Sequence, residues 1–394
     1  MKTKRILAFL LILGVLACLA GCAGNSAGGT KTTPAPTEAP APAPTEAPAP
    51  AEEPAPAEEP APAPEEPAEP RPEKPETVEF TDDTGRTLTL PGTITKIAVS
   101  GPLSQIVVFA LAPEMLVAIS NEWDPGAEEY FDPAYFNLPV LGQLYGGKGE
   151  LNLEELLAAG PQLVLDVGEA KQNAAEDLDA LTQQTGIPFV HIDADTERTG
   201  EAYRKLGALL GLEDRAEILA DYCEETYARA QQIMEQVGSG RLRLLYLLGD
   251  KGLNVIARGS YHGEILELVG ENAAVVDNPS SKGTGNETDM EQLLLWDPEF
   301  IIFSYDSVGS EVADDPLWQQ LTAIREGNWA VAPYGPYNWM GFPPSVQRYP
   351  GILWLLQTLY PEEADYDLYS EVNRFFELFY HCSLTPEQYA KIVG

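Results

Sequence analysis

Residues 288–304, TDMEQLLLWDPEFIIFS, repeat in register a stretch that lies 137 residues earlier, LNLEELLAAGPQLVLDV at 151–167. In each copy a Glu (Glu154, Glu291) is followed by a Leu-Leu pair (Leu156-Leu157, Leu293-Leu294), and a Pro (Pro161, Pro298) comes seven residues after the Glu. Two residues further on an apolar run opens, Leu163-Val164-Leu165 and Phe300-Ile301-Ile302. Each copy reads as a short helix, a break and a buried strand, so one supersecondary unit is used twice.

The same alternation surrounds both copies. KIAVS reads as a buried strand, followed by a helix from about Leu103 and a second strand at Leu116 to Ile119. LTQQTGIPFVHID, RLLYLLG with NVIA, GSYHGEILELVG and DPLWQQLTAIREGNWAVAP continue the pattern, and VEFTDDTGRTLTL (78–90) reads as a hairpin around an Asp-x-Gly turn. Helices alternating with short apolar strands imply βαβ units. From Arg198 to Val237 only helical periodicity remains. The spacing therefore predicts an α/β protein of two Rossmann-like lobes with mostly parallel sheets, joined by one long α-helix, with a ligand cleft between them. The expected boundaries are 77–196 for the first lobe, 197–238 for the linking helix, and 239–394 for the second lobe with its closing helices. Ligands of open α/β sheets bind beyond the carboxyl ends of the strands, and here both sets of ends face the cleft.

The amino-terminal 76 residues have another character. Lys2, Lys4 and Arg5 precede an apolar stretch, Ile6 to Ala20, that is shorter than the roughly 20 residues of a spanning helix. This is the layout of a secretory signal. It ends in Leu19-Ala20-Gly21-Cys22, which resembles the lipobox of bacterial lipoproteins; the resemblance makes 1–22 the signal and Cys22 the lipid-bearing first residue. Residues 23–76 then read as a Pro-, Ala- and Glu-rich tether with nothing to bury. Thr33 to Glu76 alone, at ~3.1 Å per residue, can reach on the order of 130 Å. The expectation is an extracytoplasmic domain held to the membrane by a lipid.

A net charge of −37 speaks against nucleic acid or anionic lipid as a partner. Outside the signal only Cys223 and Cys382 remain; one disulfide between them is open, but two cysteines are no framework. The three histidines, His191, His262 and His381, have no ligand spacing, so a bare zinc or manganese site is not expected. The sequence has no G-x-S-x-G elbow, H-E-x-x-H helix or P-loop, which leaves an enzyme as the weakest class.

Residues 96–361 resemble the periplasmic-binding-protein family that serves ABC importers of iron–siderophores, haem and cobalamin. The resemblance rests on NLEELLAAGPQLVL, TGIPFV, GALLGLEDRAEIL, GSYHGEILELVG, MEQLLLWDPEFII and DPLWQQLTAIREGNWAVAP, taken in order. It implies two lobes on a single rigid helix, little lobe motion on binding, a monomer with no intrinsic cofactor, and a metal chelate as ligand. It also implies that Glu154 and Glu291 pair with arginines of the two permease subunits, where a carboxylate–guanidinium contact is bidentate and directional. Helix-dipole stabilisation explains a Glu at each of these positions equally well. Ligand contacts are expected from strand-end loops: Ser104, Trp123, Tyr145 and Lys148 in the first lobe, and Tyr261, His262, Tyr305, Tyr337, Trp339 and Arg348 in the second. Tyr and Trp offer flat faces with one polar handle, and Arg348 or Lys148 suits a ligand carboxylate or phosphate. Tyr337 and His262 are the candidates for a direct bond to a chelated metal, whereas Trp318 and Trp329 read as core. A metal oxyanion as ligand, or a surface adhesin or sensor on the same fold, are the alternatives.

Overall fold

Both copies of the repeat fold as read, and the caps show why. In the computed structural model, which describes residues 75–145 and 150–394, the hairpin strands are β1 (Thr77–Thr81) and β2 (Thr87–Pro91). They lead to β3 (Ile97–Val99) and α1 (Pro102–Leu111). The first copy is α2 (Leu153–Ala159), capped by Asn152, whose side chain accepts the amides of Glu154 and Glu155. It ends on Gly160 at φ 61°, and Pro161 prevents continuation before β4 (Leu163–Gly168). After α3 (Ala174–Thr185), β5 (Phe189–Asp193) completes a three-stranded parallel sheet in the order β3-β4-β5. The signal, the tether up to residue 74 and Lys148 lie outside the described residues.

The linking segment is not one helix. It is a helical hairpin, α4 (Thr199–Leu210) and α5 (Glu213–Val237), broken at Gly211, and only α5, with 25 residues, is long. The two helices cross closely at Gly207, where an added Cβ would lie 2.4 Å from that of Ala216. Helical periodicity carries through the break because both helices bury one face against the same core.

The second half continues with β6 (Arg243–Leu248), β7 (Asn254–Val255), α6 (Glu264–Val269), β8 (Glu271–Asn272) and β9 (Asn286–Glu287). The second repeat copy is α7 (Met290–Trp296) and β10 (Phe300–Phe303). Asp289 caps α7 by accepting the amide of Gln292, and Asp297, at φ 42°, ends it where the first copy uses Gly160. A short Asp tolerates that left-handed turn better than most side chains. Then follow α8 (Thr322–Glu326), β11 (Trp329–Val331), α9 (Arg348–Leu359), α10 (Leu368–Phe375) and α11 (Pro386–Val393). The sheet order is β11-β10-β6-β7-β9, with β8 also on β6. Its β11-β10-β6 core is parallel, while β7 and β9 add antiparallel pairs.

Other details differ from expectation. Leu116 to Ile119 makes only isolated bridges, to Ile97 and Val140, because Pro113 starts a helical turn that uses up the connection. The closing helices, expected to complete the second lobe, reach back to the first. The Arg215 guanidinium on α5 donates to the carbonyls of Ala110 and Leu378 at 2.9 and 2.7 Å. The His381 ring donates to the Phe109 carbonyl at 2.9 Å, and Lys391 pairs with Glu129 at 3.4 Å. Cys223 is buried in α5, and neither it nor Cys382 is in a disulfide. Burial pushes the Cys382 thiol up to about 11.

The hairpin turn has its own task. Asp82 accepts the His191 amide, Asp83 accepts the Asp193 amide, and Arg86 donates to the Phe189 carbonyl. These bonds cover the outer edge of β5, which would otherwise present unpaired backbone groups. Among the described residues no helix is long and apolar enough to cross a membrane.

Candidate ligand cleft

A cleft of about 170 Å³ opens beyond the carboxyl ends of β3 and β4 and is closed from the other side by the second half. Ser100 to Ser104 and Asp166 to Glu169 with Lys171 form its floor and one wall; Tyr261, His262, Ser281, Pro343 and Pro344 form the opposite wall. A larger groove of about 640 Å³ lies between α5 and α6, lined among others by Asp195, Glu197, Glu235 and Glu267. None of the strand-end residues of β3 or β4 lines that groove. The smaller cleft is the better candidate, because polar side chains of both halves converge there.

The floor is built on two strands. In the pairing of β4 with β5, Asp166 stands opposite His191. The His191 ring is fully buried, with Nδ1 2.7 Å from Asp166 Oδ2 and Nε2 3.0 Å from Asp193 Oδ1. Burial alone draws the ring pKa down, but the two carboxylates outweigh it and hold it above the ordinary histidine value. The other Asp166 oxygen accepts the Ser100 hydroxyl. Ser104 lies 3.3 Å from Ser100 and accepts the Val167 amide at 2.8 Å. The sequence reading took Ser104 but passed over Ser100, Asp166 and His191. A signal was present: LVLDVG and FVHID each carry one ionisable residue inside an otherwise apolar strand, and such a residue is costly unless it is partnered or used.

Of the ten expected ligand contacts, Ser104, Tyr145, Tyr261 and His262 line the cleft, and Lys148 is outside the described residues. Tyr145 donates to Asp177 at 3.3 Å and Tyr261 to the Ala194 carbonyl at 2.7 Å. His262 is nearly buried, and its Nδ1–H donates to the Gly341 carbonyl at 3.3 Å, which leaves Nε2 an acceptor. Burial, reinforced by the Arg348 guanidinium, draws its pKa down to about 4, so the ring is neutral at pH 7.

The structure places the other five off this cleft. Trp123 is core: its indole packs on Phe109 and Phe131, and Nε1 donates to the Tyr135 carbonyl at 2.9 Å. Trp339 is fully buried, and its Nε1 donates to the Gly335 carbonyl at 3.1 Å. Tyr337 packs against the core and is not on the cleft wall, which removes it as a metal ligand there. Tyr305 is 45% exposed and stacks on Tyr334 with ring centroids 3.8 Å apart, also off the cleft; the Tyr334 hydroxyl donates to Asp124 of the first half. Arg348 is only 2% exposed. It pairs with Glu264 at 2.8 Å, donates to Thr196 and the Tyr261 carbonyl, and lies over the Tyr261 ring. Its Nη1 and Nη2 are engaged in this way, while Nε is buried without a partner and Arg348 does not line the cleft. Trp318 sits in the core of the second half and Trp329 packs against it, as read.

Glu154 and Glu291 are both exposed, each in the first turn of its short helix. One turn on, Leu157 and Leu294 are also exposed, so the repeat extends to its surface. Among the described residues no cluster of three or more His, Cys, Asp or Glu could hold a metal ion.

Two α/β halves linked through a long helix, with a polar cleft at the carboxyl ends of their strands, define a solute-binding protein of the ABC-transporter type. The chain belongs to the periplasmic binding protein family, whose description matches residues 108–334. An ABC transporter solute-binding protein of Sulfurospirillum deleyianum is similar in structure with a TM-score of 0.73 and 26% identity, over 80% of this chain and 98% of that one. A periplasmic solute-binding protein of Veillonella parvula gives 0.67 and 25%, over 80% and 97%. A periplasmic binding protein of Haemophilus influenzae, solved with molybdate, shares the fold at 0.61 and 19%, over 78% and 99%. No curated protein matches the chain in sequence.

Proposed function

We propose that the protein captures a metal chelate outside the cytoplasm and hands it to the permease of an ABC importer, docking through Glu154 and Glu291 while a lipid on Cys22 keeps it at the membrane. The observation that carries this reading is the cleft at the strand ends, together with two equivalent exposed carboxylates on the repeated helices. A permease built from two like subunits presents two like sites, and matched charges on matched helices answer that symmetry. The neutral His262 on the cleft wall supports a chelate as ligand, since a free imidazole nitrogen can take a coordination position that a chelator leaves open. The protein carries no cofactor of its own in this reading, acts as a monomer, and is not an enzyme. Reversing both charges, Glu154→Arg with Glu291→Arg, should abolish uptake in cells and leave chelate affinity in solution unchanged. A parallel loss of affinity would refute the docking role.

A further inference from the structure

Resting on that reading, we infer that the cleft selects an uncharged or cationic chelate, one that offers hydrogen-bond donors to Asp166, over a polyanionic one. The geometry of the floor points to this. Asp166 uses one lone pair of each oxygen, on the Ser100 hydroxyl and on His191. A carboxylate has about four such sites, so acceptor capacity remains at the floor. His191 does not cancel that charge cleanly, because its second nitrogen is bonded to Asp193, and the three groups together remain acidic. Arg198 approaches only the far member, 3.8 Å from Asp193.

Two described cations at or behind the cleft are engaged by carboxylates. Lys171 pairs with Glu169 at 3.0 Å beside the cleft. Arg348 is buried against Glu264, behind Tyr261. Two donors of the floor are committed inward: Ser100 donates to Asp166, and the Val167 amide donates to Ser104. The protein's overall charge of −37 adds a repulsive field at long range. Among the described residues, a polyanion entering here would meet the Asp166 carboxylate with Lys171 already paired, whereas a cationic complex would meet its complement.

The test is equilibrium titration of the full chain, by calorimetry, with three probes: ferrioxamine B (a monocationic ferric trihydroxamate), ferric enterobactin (a trianionic ferric triscatecholate) and molybdate. Ferrioxamine B should bind at least tenfold more tightly than either anion, and Asp166→Asn should weaken it at least tenfold while circular dichroism and the melting transition show a folded protein. Tighter binding of ferric enterobactin by the wild type, or unchanged ferrioxamine affinity in folded Asp166→Asn, would overturn the charge selection and leave the proposed chelate transport standing, whereas tighter binding of molybdate would overturn both. If none of the three binds, chelate capture itself falls, and the inference with it.

Discussion

His262→Gln probes the cleft wall through pH. The His262 pKa lies at about 4 in the folded protein against 6.5 for an ordinary histidine, with burial as the main cause and Arg348 the next. The unfolded chain therefore binds the proton first. Stability from this residue is complete above pH 6.5 and is lost as pH falls from 6.5 towards 4. The full difference corresponds to ~3 kcal/mol. His191 has the opposite sign: its folded pKa is raised, so its contribution is present below 6.5 and is lost as pH rises through the folded value. It adds no slope in the acid window. His381, lowered by burial and by Arg215, slopes the same way as His262 but is shared by both proteins and cancels in the comparison. Glutamine keeps a donor for the Gly341 carbonyl and cannot titrate. Urea unfolding at pH 7 and at pH 4 should show the wild type losing about 3 kcal/mol more than His262→Gln over that interval. Equal losses, within about 1 kcal/mol, would refute the claim that the cleft wall holds a buried neutral imidazole.

Arg348→Met should destabilise the protein by about 3 kcal/mol in urea unfolding, the low end for a broken buried pair, because Glu264 keeps 28% of its side-chain exposure and can reach water. Gly207→Val should cost about 1–3 kcal/mol by overpacking the α4–α5 crossing, read as a lower urea midpoint, whereas Gly211→Ala, at a left-handed cap, should cost less. Thiol titration of the native protein should find Cys382 reacting slowly and Cys223 only on unfolding, with two free thiols from these positions in denaturant under non-reducing conditions.

The duplicated unit was legible because its caps, its proline and its apolar run are local signals. Helix and strand boundaries around it followed from the same chemistry. What stayed hidden depended on contacts distant in sequence. Trp123 and Trp339 sit near strand ends in the chain, yet their indole N–H groups find the carbonyls of Tyr135 and Gly335 in the interior. Arg348 has the composition of an anion receptor, but its partners Thr196 and Glu264 lie 152 and 84 residues away. The break at Gly211 is a cap that periodicity steps over, since both flanking helices keep the same buried face. Asp166 and His191 could have been found, by asking why a strand buried on both faces should carry a charge.

The return of the C-terminal segment to the first half changes how the molecule can move. Arg215, His381 and Lys391 fasten that segment to α1, α5 and the Glu129 turn, and Tyr334 is bonded to Asp124. A jaw hung on one rod swings about that rod; a jaw also strapped across its back cannot, unless those bonds part together. Cargo exchange would then work through the Pro343–Pro344 wall and the side chains at the mouth, and a docked importer that forces the halves apart has the strap to break first.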